Sequence, residues 1–282
     1  MKLSIIIVHY NVAKLLRNCL ISIQKLVQNV PYEILVIDNA STDKSWENLQ
    51  AEFPEVTFIT SAENVGFAKA NNRAAKMAKG DYLLLLNPDT EIEKNDFSEI
   101  LKFADAIENL GCLGVRMHDK KGNFLPESKR SVPDMFNSFE KLFTKKNNQS
   151  KSYYRNDVGE YDIAEVDVIT GAFLLIKKDR YLQIGGLDEA YFMYGEDIDL
   201  CYTLLQNNYQ NFYYGKSSIL HHKGESTMKN EVYLQRFYGA MQIFVNKYYK
   251  KDHFLQYLLL TIGLKLRYFL AKLQLQKNGS KN

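Results

Sequence analysis

Tyr82-Leu83-Leu84-Leu85-Leu86-Asn87-Pro88-Asp89-Thr90-Glu91 decides how the chain folds. Four consecutive leucines cannot alternate between core and solvent. The run therefore reads as a strand buried on both faces, as in a parallel sheet covered by helices. Pro88 has no amide hydrogen to give a ladder, so the strand ends there. Asp89 is left at the carboxyl end of a central strand, the edge where open α/β sheets bind ligands. Asn-Pro-Asp is also a common turn former, so its neighbours must decide its meaning.

Toward the N-terminus the pattern alternates. Residues 3–8 are a predicted strand. Residues 12–28 carry Val12, Leu15, Leu16, Cys19, Leu20, Ile23 and Leu26 at helical spacing. A second strand over 33–37 ends at Asp38-Asn39, and Ser41-Thr42-Asp43 can cap a helix over 44–53. A third strand over 56–59, a turn at Asn64-Val65-Gly66-Phe67 and a helix over 68–79 lead into the leucine strand. This alternation predicts an α/β fold with a mostly parallel sheet and helices on both faces. Toward the C-terminus a helix is expected over 96–109. Residues 116–165 read as a surface excursion, with a short helix over 135–143 and a polar run over 145–152. Order resumes over 166–176, broken at Thr170-Gly171. A helix over 197–207 follows, then a short strand at 219–220 that ends at His221-His222. From about Glu231 onward the pattern is helical. The expected division is a domain over 1–228 and a helical, basic-amphipathic extension over 229–282.

The 282 residues are 46% hydrophobic and 24% charged, as in a soluble globular protein. Cys19, Cys112 and Cys201 form no paired motif, so neither a disulfide framework nor a zinc site is suggested. The apolar run at 5–8 is too short for a signal-peptide core, and no uninterrupted apolar stretch suggests a transmembrane helix. Nothing calls for a nucleic-acid partner. Charge is uneven: over 247–282 eight basic residues face one acid, Asp252, although the whole chain is only +3. A basic tail on a near-neutral to acidic body is expected to meet an anionic surface. The apolar residues at 254–273 with Lys265, Arg267 and Lys272 suit a helix lying in a membrane interface. Packing on the rest of the chain or on a second subunit is the alternative.

Several polar groups sit just past predicted strands: His9, Tyr10 and Asn11, then Asp38 and Asn39, then Asp89. Such loops share one sheet edge. Neither G-x-G-x-x-G nor G-x-x-x-x-G-K-[ST] occurs, so a bound nucleotide would need another way to neutralise its phosphates. A divalent metal on Asp89 is the natural candidate. Glu196-Asp197-Ile198-Asp199 opens a helix. Acids there are favourable caps, and Asp197 is also placed to act as a general base with a neighbouring acid orienting it. A histidine at the end of a strand can ligate a metal or be purely structural.

Together these pieces resemble the family 2 inverting glycosyltransferases of GT-A fold, and within them the rhamnosyltransferase-like branch of bacterial surface polysaccharide synthesis. The resemblance covers about residues 2–228. It rests on Ile5-Ile6-Ile7-Val8-His9-Tyr10-Asn11, Val36-Ile37-Asp38-Asn39-Ala40-Ser41-Thr42-Asp43, Asn64-Val65-Gly66-Phe67-Ala68-Lys69-Ala70-Asn71-Asn72 and Leu86-Asn87-Pro88-Asp89. It continues through Thr170-Gly171-Ala172-Phe173, Gly185-Gly186-Leu187-Asp188-Glu189, Glu196-Asp197-Ile198-Asp199-Leu200 and His221-His222-Lys223-Gly224-Glu225-Ser226. The resemblance implies a nucleotide-sugar donor, dTDP- or UDP-linked, held by Tyr10, Asn11, Asp38, Asn39, Asn64, Gly66, Asn71 and Asn87. It implies a manganese or magnesium ion on Asp89 and His221, with His222 the less suited ligand. Asn87 replaces the first acid of the family's D-x-D motif. Asp197 would be the base with Glu196 beside it, and Thr170 and Gly171 would lie near a glycan or lipid-linked glycan acceptor. A cytoplasmic enzyme, peripheral on the inner membrane, is expected. The other reading is a non-catalytic nucleotide-sugar-binding or scaffold protein of the same fold. The glycine-rich signature of nucleotidylyltransferases and the Q-x-x-R-W motif of processive synthases are both missing.

Overall fold

The computed structural model describes residues 1–44, 46–94, 96–133, 153–224 and 230–279. Its first part has strands β1 (Leu3–His9), β2 (Tyr32–Asp38), β3 (Thr57–Thr60) and β4 (Tyr82–Leu86), with helices α1 (Ala13–Leu26), α2 (Glu47–Glu52) and α3 (Phe67–Met77) between them. All five residues of β4 are buried. Ile5, Ile7, Leu84 and Leu86 pack with Leu16, Leu20 and Ile23 on one face. Ile6, Val8, Leu83 and Leu85 pack with Ala68 and Ala74 on the other. The leucine run thus feeds two cores, because successive strand side chains point to opposite faces. β1 pairs in parallel with both β2 and β4, Ile7 lying opposite Val36 and Leu86. Their carboxyl ends therefore emerge at one edge.

The second part is mixed. It contains β5 (Thr90–Lys94), α4 (Phe97–Ala106), β6 (Leu110–His118), β7 (Ile163–Glu165), β8 (Phe173–Lys177), α5 (Lys178–Gln183), α6 (Glu196–Gln206) and β9 (Gln210–His221). The nine-stranded sheet runs β3-β2-β1-β4-β8-β6-β9-β5, with β7 also on β9. β8 lies antiparallel to β4, Leu86 facing Phe173. This brings residues 170–172 back beside the Asn87–Asp89 turn, where Asn87 N donates to Ala172 O at 3.1 Å.

The expected strand over 166–176 is shorter. Residues 166–172 are held outside a ladder: Asn211 Nδ2 donates to Asp167 O, and Arg130 and Val168 exchange backbone hydrogen bonds. β5 and β6 carry no period that marked them in advance. β6 includes Gly111 and Gly114, where a Cβ would come within 2.3 Å of Asn211 Oδ1 and 2.9 Å of Ile169 Cβ. Arg116, Met117 and His118 end this strand instead of opening a surface excursion. The strand foreseen at 219–220 extends back to Gln210. The helix expected over 135–143 and the polar run over 145–152 lie outside the described residues, as do Glu225 and Ser226.

Helices α7 (Glu231–Tyr248) and α8 (Phe254–Gly279) follow. Asn230 Oδ1 accepts from Tyr233 N and caps α7. Near its other end, Lys247 Nζ reaches Asp188 Oδ2 at 2.7 Å and Asp199 Oδ2 at 2.9 Å, and Tyr248 Oη donates to Asp199 Oδ1 at 2.8 Å. Asp199 is therefore a docking point for α7. Leu260 and Leu264 of α8 pack on Val245 of α7. The rest of α8 leaves Phe254, Leu255, Leu259, Ile262, Phe269 and other apolar side chains exposed. Residues 254–277 form a helix long and apolar enough to cross a membrane by length and composition alone.

Candidate active site

The carboxyl ends of β1, β2 and β4 open into a cleft of 350 Å³. Tyr10, Asn39, Asn64, Gly66, Asn87, Asp89, Thr170, Gly171, Glu196 and Asp197 all line it. Tyr10 is 43% exposed at its lip. Asn39 is buried: its Nδ2 donates to Asn64 Oδ1 (3.0 Å) and Gly66 O (3.3 Å), and its Oδ1 accepts from Val65 N. These bonds fix the turn that opens α3. Gly66 has φ +84°, and a Cβ there would lie 2.5 Å from Phe192 O. Only glycine allows the 187–195 loop so close.

Asp89 is 4% exposed, and its Oδ1 lies 3.4 Å from His221 Nε2. His222 Nε2 is instead 2.6 Å from Glu91 Oε1. Of the two histidines, His221 is the one turned to Asp89. His221 Nδ1 is buried without a hydrogen-bond partner among the described residues. A carboxylate oxygen and an imidazole nitrogen this close fit a divalent cation of the magnesium or manganese type. No group of three or more His, Cys, Asp or Glu donors occurs among the described residues. The protein would thus give two ligands, leaving the others to phosphate oxygens and water.

Across the cleft, Tyr194 (φ +71°) and Gly195 (φ +80°) form a left-handed turn that starts α6. Glu196 and Asp197 follow at once. Asp197 Oδ2 accepts from Arg130 Nη2 at 2.7 Å and from Gly171 N at 3.2 Å. Arg130 is partly buried on this contact, and its other bond from Nη2 goes to Ile169 O. Burial alone would lower the Arg130 pKa, but the Asp197 carboxylate overrides it and raises it above the ordinary value. Glu196 is 7% exposed. Burial, and after it the neighbouring Asp197 charge, push the Glu196 carboxyl up to about 8. A raised Glu196 carboxyl keeps its proton to higher pH than an ordinary glutamate.

Four predicted residues lie outside the lining. Asp38 Oδ1 accepts from Ser41 N, and Asn11 Oδ1 accepts from Thr42 N at 2.8 Å, so both side chains shape the 41–43 loop. Asn71 is buried in α3, donating to Phe67 O. His221 stands behind Asp89. Two cleft residues escaped the sequence reading: Arg130, and Arg236 of α7, whose guanidinium stacks 4.1 Å over the Phe192 ring. Arg130 sits in Lys129-Arg130-Ser131-Val132-Pro133, read only as surface. No local pattern announces Arg236.

A mostly parallel sheet with polar groups at its carboxyl edge and a pair of carboxylates across the cleft defines an α/β protein with a ligand-sized cleft. A glycosyl transferase family 2 model matches residues 4–173, and the chain belongs to that family. It is similar to rhamnosyltransferases. It is 28% identical over 212 residues to N-acetylglucosaminyl-diphospho-decaprenol L-rhamnosyltransferase of Mycobacterium tuberculosis, covering 70% of this chain and 68% of that one. With rhamnosyltransferase WbbL of Escherichia coli K12 it shares 27% over 197 residues, covering 64% and 71%. Among solved structures, mannosyltransferase PcManGT of Pyrobaculum calidifontis, in complex with GDP-Man and Mn2+, superposes with a TM-score of 0.60 at 18% identity, covering 96% of this chain and 71% of that one. GalNAc-T7 with UDP, GalNAc and Mn2+ gives 0.60 at 16%, covering 86% of this chain and about half (48%) of its own length. The fold is that of the GT-A glycosyltransferases.

Proposed function

We propose that this chain is an inverting glycosyltransferase that moves a sugar from a dTDP- or UDP-sugar to a hydroxyl of a lipid-linked glycan in cell-surface polysaccharide synthesis. The observation that carries the reading is that Asp89 and Asp197 line one cleft. The Tyr10 ring would stack on the nucleobase. Asp38, Asn39, Asn64, Gly66 and the loop held by Asn11 would shape the nucleoside pocket, with Asn71 supporting it through α3. Asn87 would face the diphosphate. Asp89 and His221 would hold a divalent cation, whose chemistry there is to offset charge on the diphosphate.

Thr170 and Gly171 would border the acceptor. Its hydroxyl attacks the anomeric carbon opposite the diphosphate, and Asp197 takes the hydroxyl proton. The bond to the diphosphate breaks as the new bond forms, so the configuration inverts once. Arg130 and Gly171 N keep the Asp197 carboxylate aimed. Glu196, protonated beside it, adds no second charge. The relative acting on a diphospho-decaprenol sugar supports the lipid-linked acceptor. The exposed apolar residues and cations of α8 support work at the cytoplasmic membrane surface.

Calorimetry with UDP, dTDP and GDP, each with and without manganese, tests the donor assignment. Manganese-dependent binding of UDP or dTDP is expected. Binding of none of the three would leave the reading without its donor.

A further inference from the structure

A second cavity, of 230 Å³, lies against the cleft. It shares Tyr153, Tyr194, Phe237 and Met241 with the cleft wall. Most of the rest of its lining is apolar and comes from α7 and α8, through Ala240, Phe244, Val245, Leu260 and Leu264, with the rings of Tyr238 and Tyr249 beside them. One charged side chain completes it, Arg267 of α8. A nucleotide is a poor occupant, since ribose and base would lose their hydrogen bonds to water against this wall. The volume is below the roughly 300–1,000 Å³ of pockets that enclose a whole small molecule, so the cavity suits one segment of a longer chain.

Two further features say which chain. The helix that supplies Leu260 and Leu264 also exposes Leu258, Leu259, Ile262 and Leu266, with Lys265 among them. An apolar stripe broken by cations is the pattern of a helix lying at a lipid headgroup boundary. The cavity is therefore walled by a lipid-facing helix on one side and continuous with the Asp197 cleft on the other. A molecule that uses both must be apolar along its length, anionic where it passes Arg267 and hydroxylated at its tip.

We propose that this cavity binds the head-proximal part of the hydrocarbon chain of a prenyl diphosphate-linked acceptor, with Arg267 facing its diphosphate. The remainder of the chain stays in the bilayer under α8. This assignment rests on the glycosyltransferase reading above and adds to it the place where the lipid is recognised. It makes the enzyme select the lipid carrier as well as the sugar.

The test is photolabelling of the full chain in vesicles with a long-chain prenyl diphosphate that carries a diazirine on a unit near the head group. Label is expected on Phe244, Val245, Leu260 or Leu264. Label confined to Leu258, Leu259 and Ile262, or no label, overturns the proposal: the cavity is then closed to lipid by another part of this chain or by a second copy. A kinetic arm uses Ala240→Leu, which fills the cavity from a position outside the cleft lining. Its KM for a prenyl-linked acceptor is expected to rise about ten-fold. The KM for the same sugar on a short water-soluble aglycone, and nucleotide affinity, should stay unchanged. An equal change for both acceptors, or none, overturns the proposal. Should that variant not fold, the labelling of the natural chain decides. Failure of the donor reading would instead appear as absent nucleotide binding, whatever the label shows.

Discussion

Asp89 and Asp197 are the same side chain at two walls of one cleft, and their surroundings are opposite. Asp197 has its cation built in: the Arg130 guanidinium sits 2.7 Å from it and never gives up its proton. Asp89 faces the His221 imidazole at 3.4 Å, a group that can ligate an ion through a ring nitrogen. A carboxylate hydrogen-bonded to a fixed guanidinium is held in one orientation, as a base must be. A carboxylate beside a nitrogen ligand is suited to receive a metal cation. The contrast supports the proposed division, with proton transfer on one wall and diphosphate binding on the other.

A large effect is expected on the Asp89 side. Asp89→Asn should lower turnover by about 10³-fold, the scale of a lost metal contribution of several kcal/mol, and remove manganese dependence from nucleotide binding. Binding that still depends on manganese would move the ion elsewhere. On the other wall, Arg130→Met should lower kcat about 10²-fold with nucleotide affinity intact, and Arg130→Lys should recover part of it. Arg130→Met should also destabilise the fold by about 3 kcal/mol in urea titration, because it leaves a largely buried carboxylate without its partner. Unchanged kcat would make that ion pair structural only. Lys247→Met strips the cation from buried Asp199, but the lysine is 36% exposed, so a smaller loss of about 1–2 kcal/mol is expected.

The smallest effect concerns Glu196. Its carboxyl ordinarily titrates near 4.5 but is pushed up to about 8 in the fold. Between these values the folded chain holds a proton that the unfolded chain has released. Stability from this group is complete below about pH 4.5 and falls as pH rises toward 8. The unfolding free energy of Glu196→Gln, from urea titration, should therefore fall by at least ~1 kcal/mol less than that of the natural chain between pH 5 and 8. Parallel profiles would show that the carboxyl is not protonated.

The Asp89 wall was readable from local pattern, because strand, turn and acid are contiguous in Leu83–Asp89. The Asp197 wall was only half readable. Glu196-Asp197-Ile198-Asp199 announces acids at a helix start, but not that Asp199 docks α7 while Asp197 enters the cleft. Arg130 is 67 positions from its partner and meets it only because residues 166–172 run beside it. Strand β6 hid because Gly111 and Gly114, needed for close approach, look like loop residues in a one-dimensional reading. Asn71 and Asn72 stand side by side with different fates. Asn72 bonds Tyr181 Oη and the Leu187 backbone, a long-range knot that no spacing betrays.

The most direct measurement is Asp197→Asn, assayed for sugar transfer and for nucleotide affinity in the same preparation. Transfer is expected to fall by about 10³-fold or more, with nucleotide affinity within about two-fold of the natural chain. Retained turnover would contradict it, since the base would then lie elsewhere in the cleft.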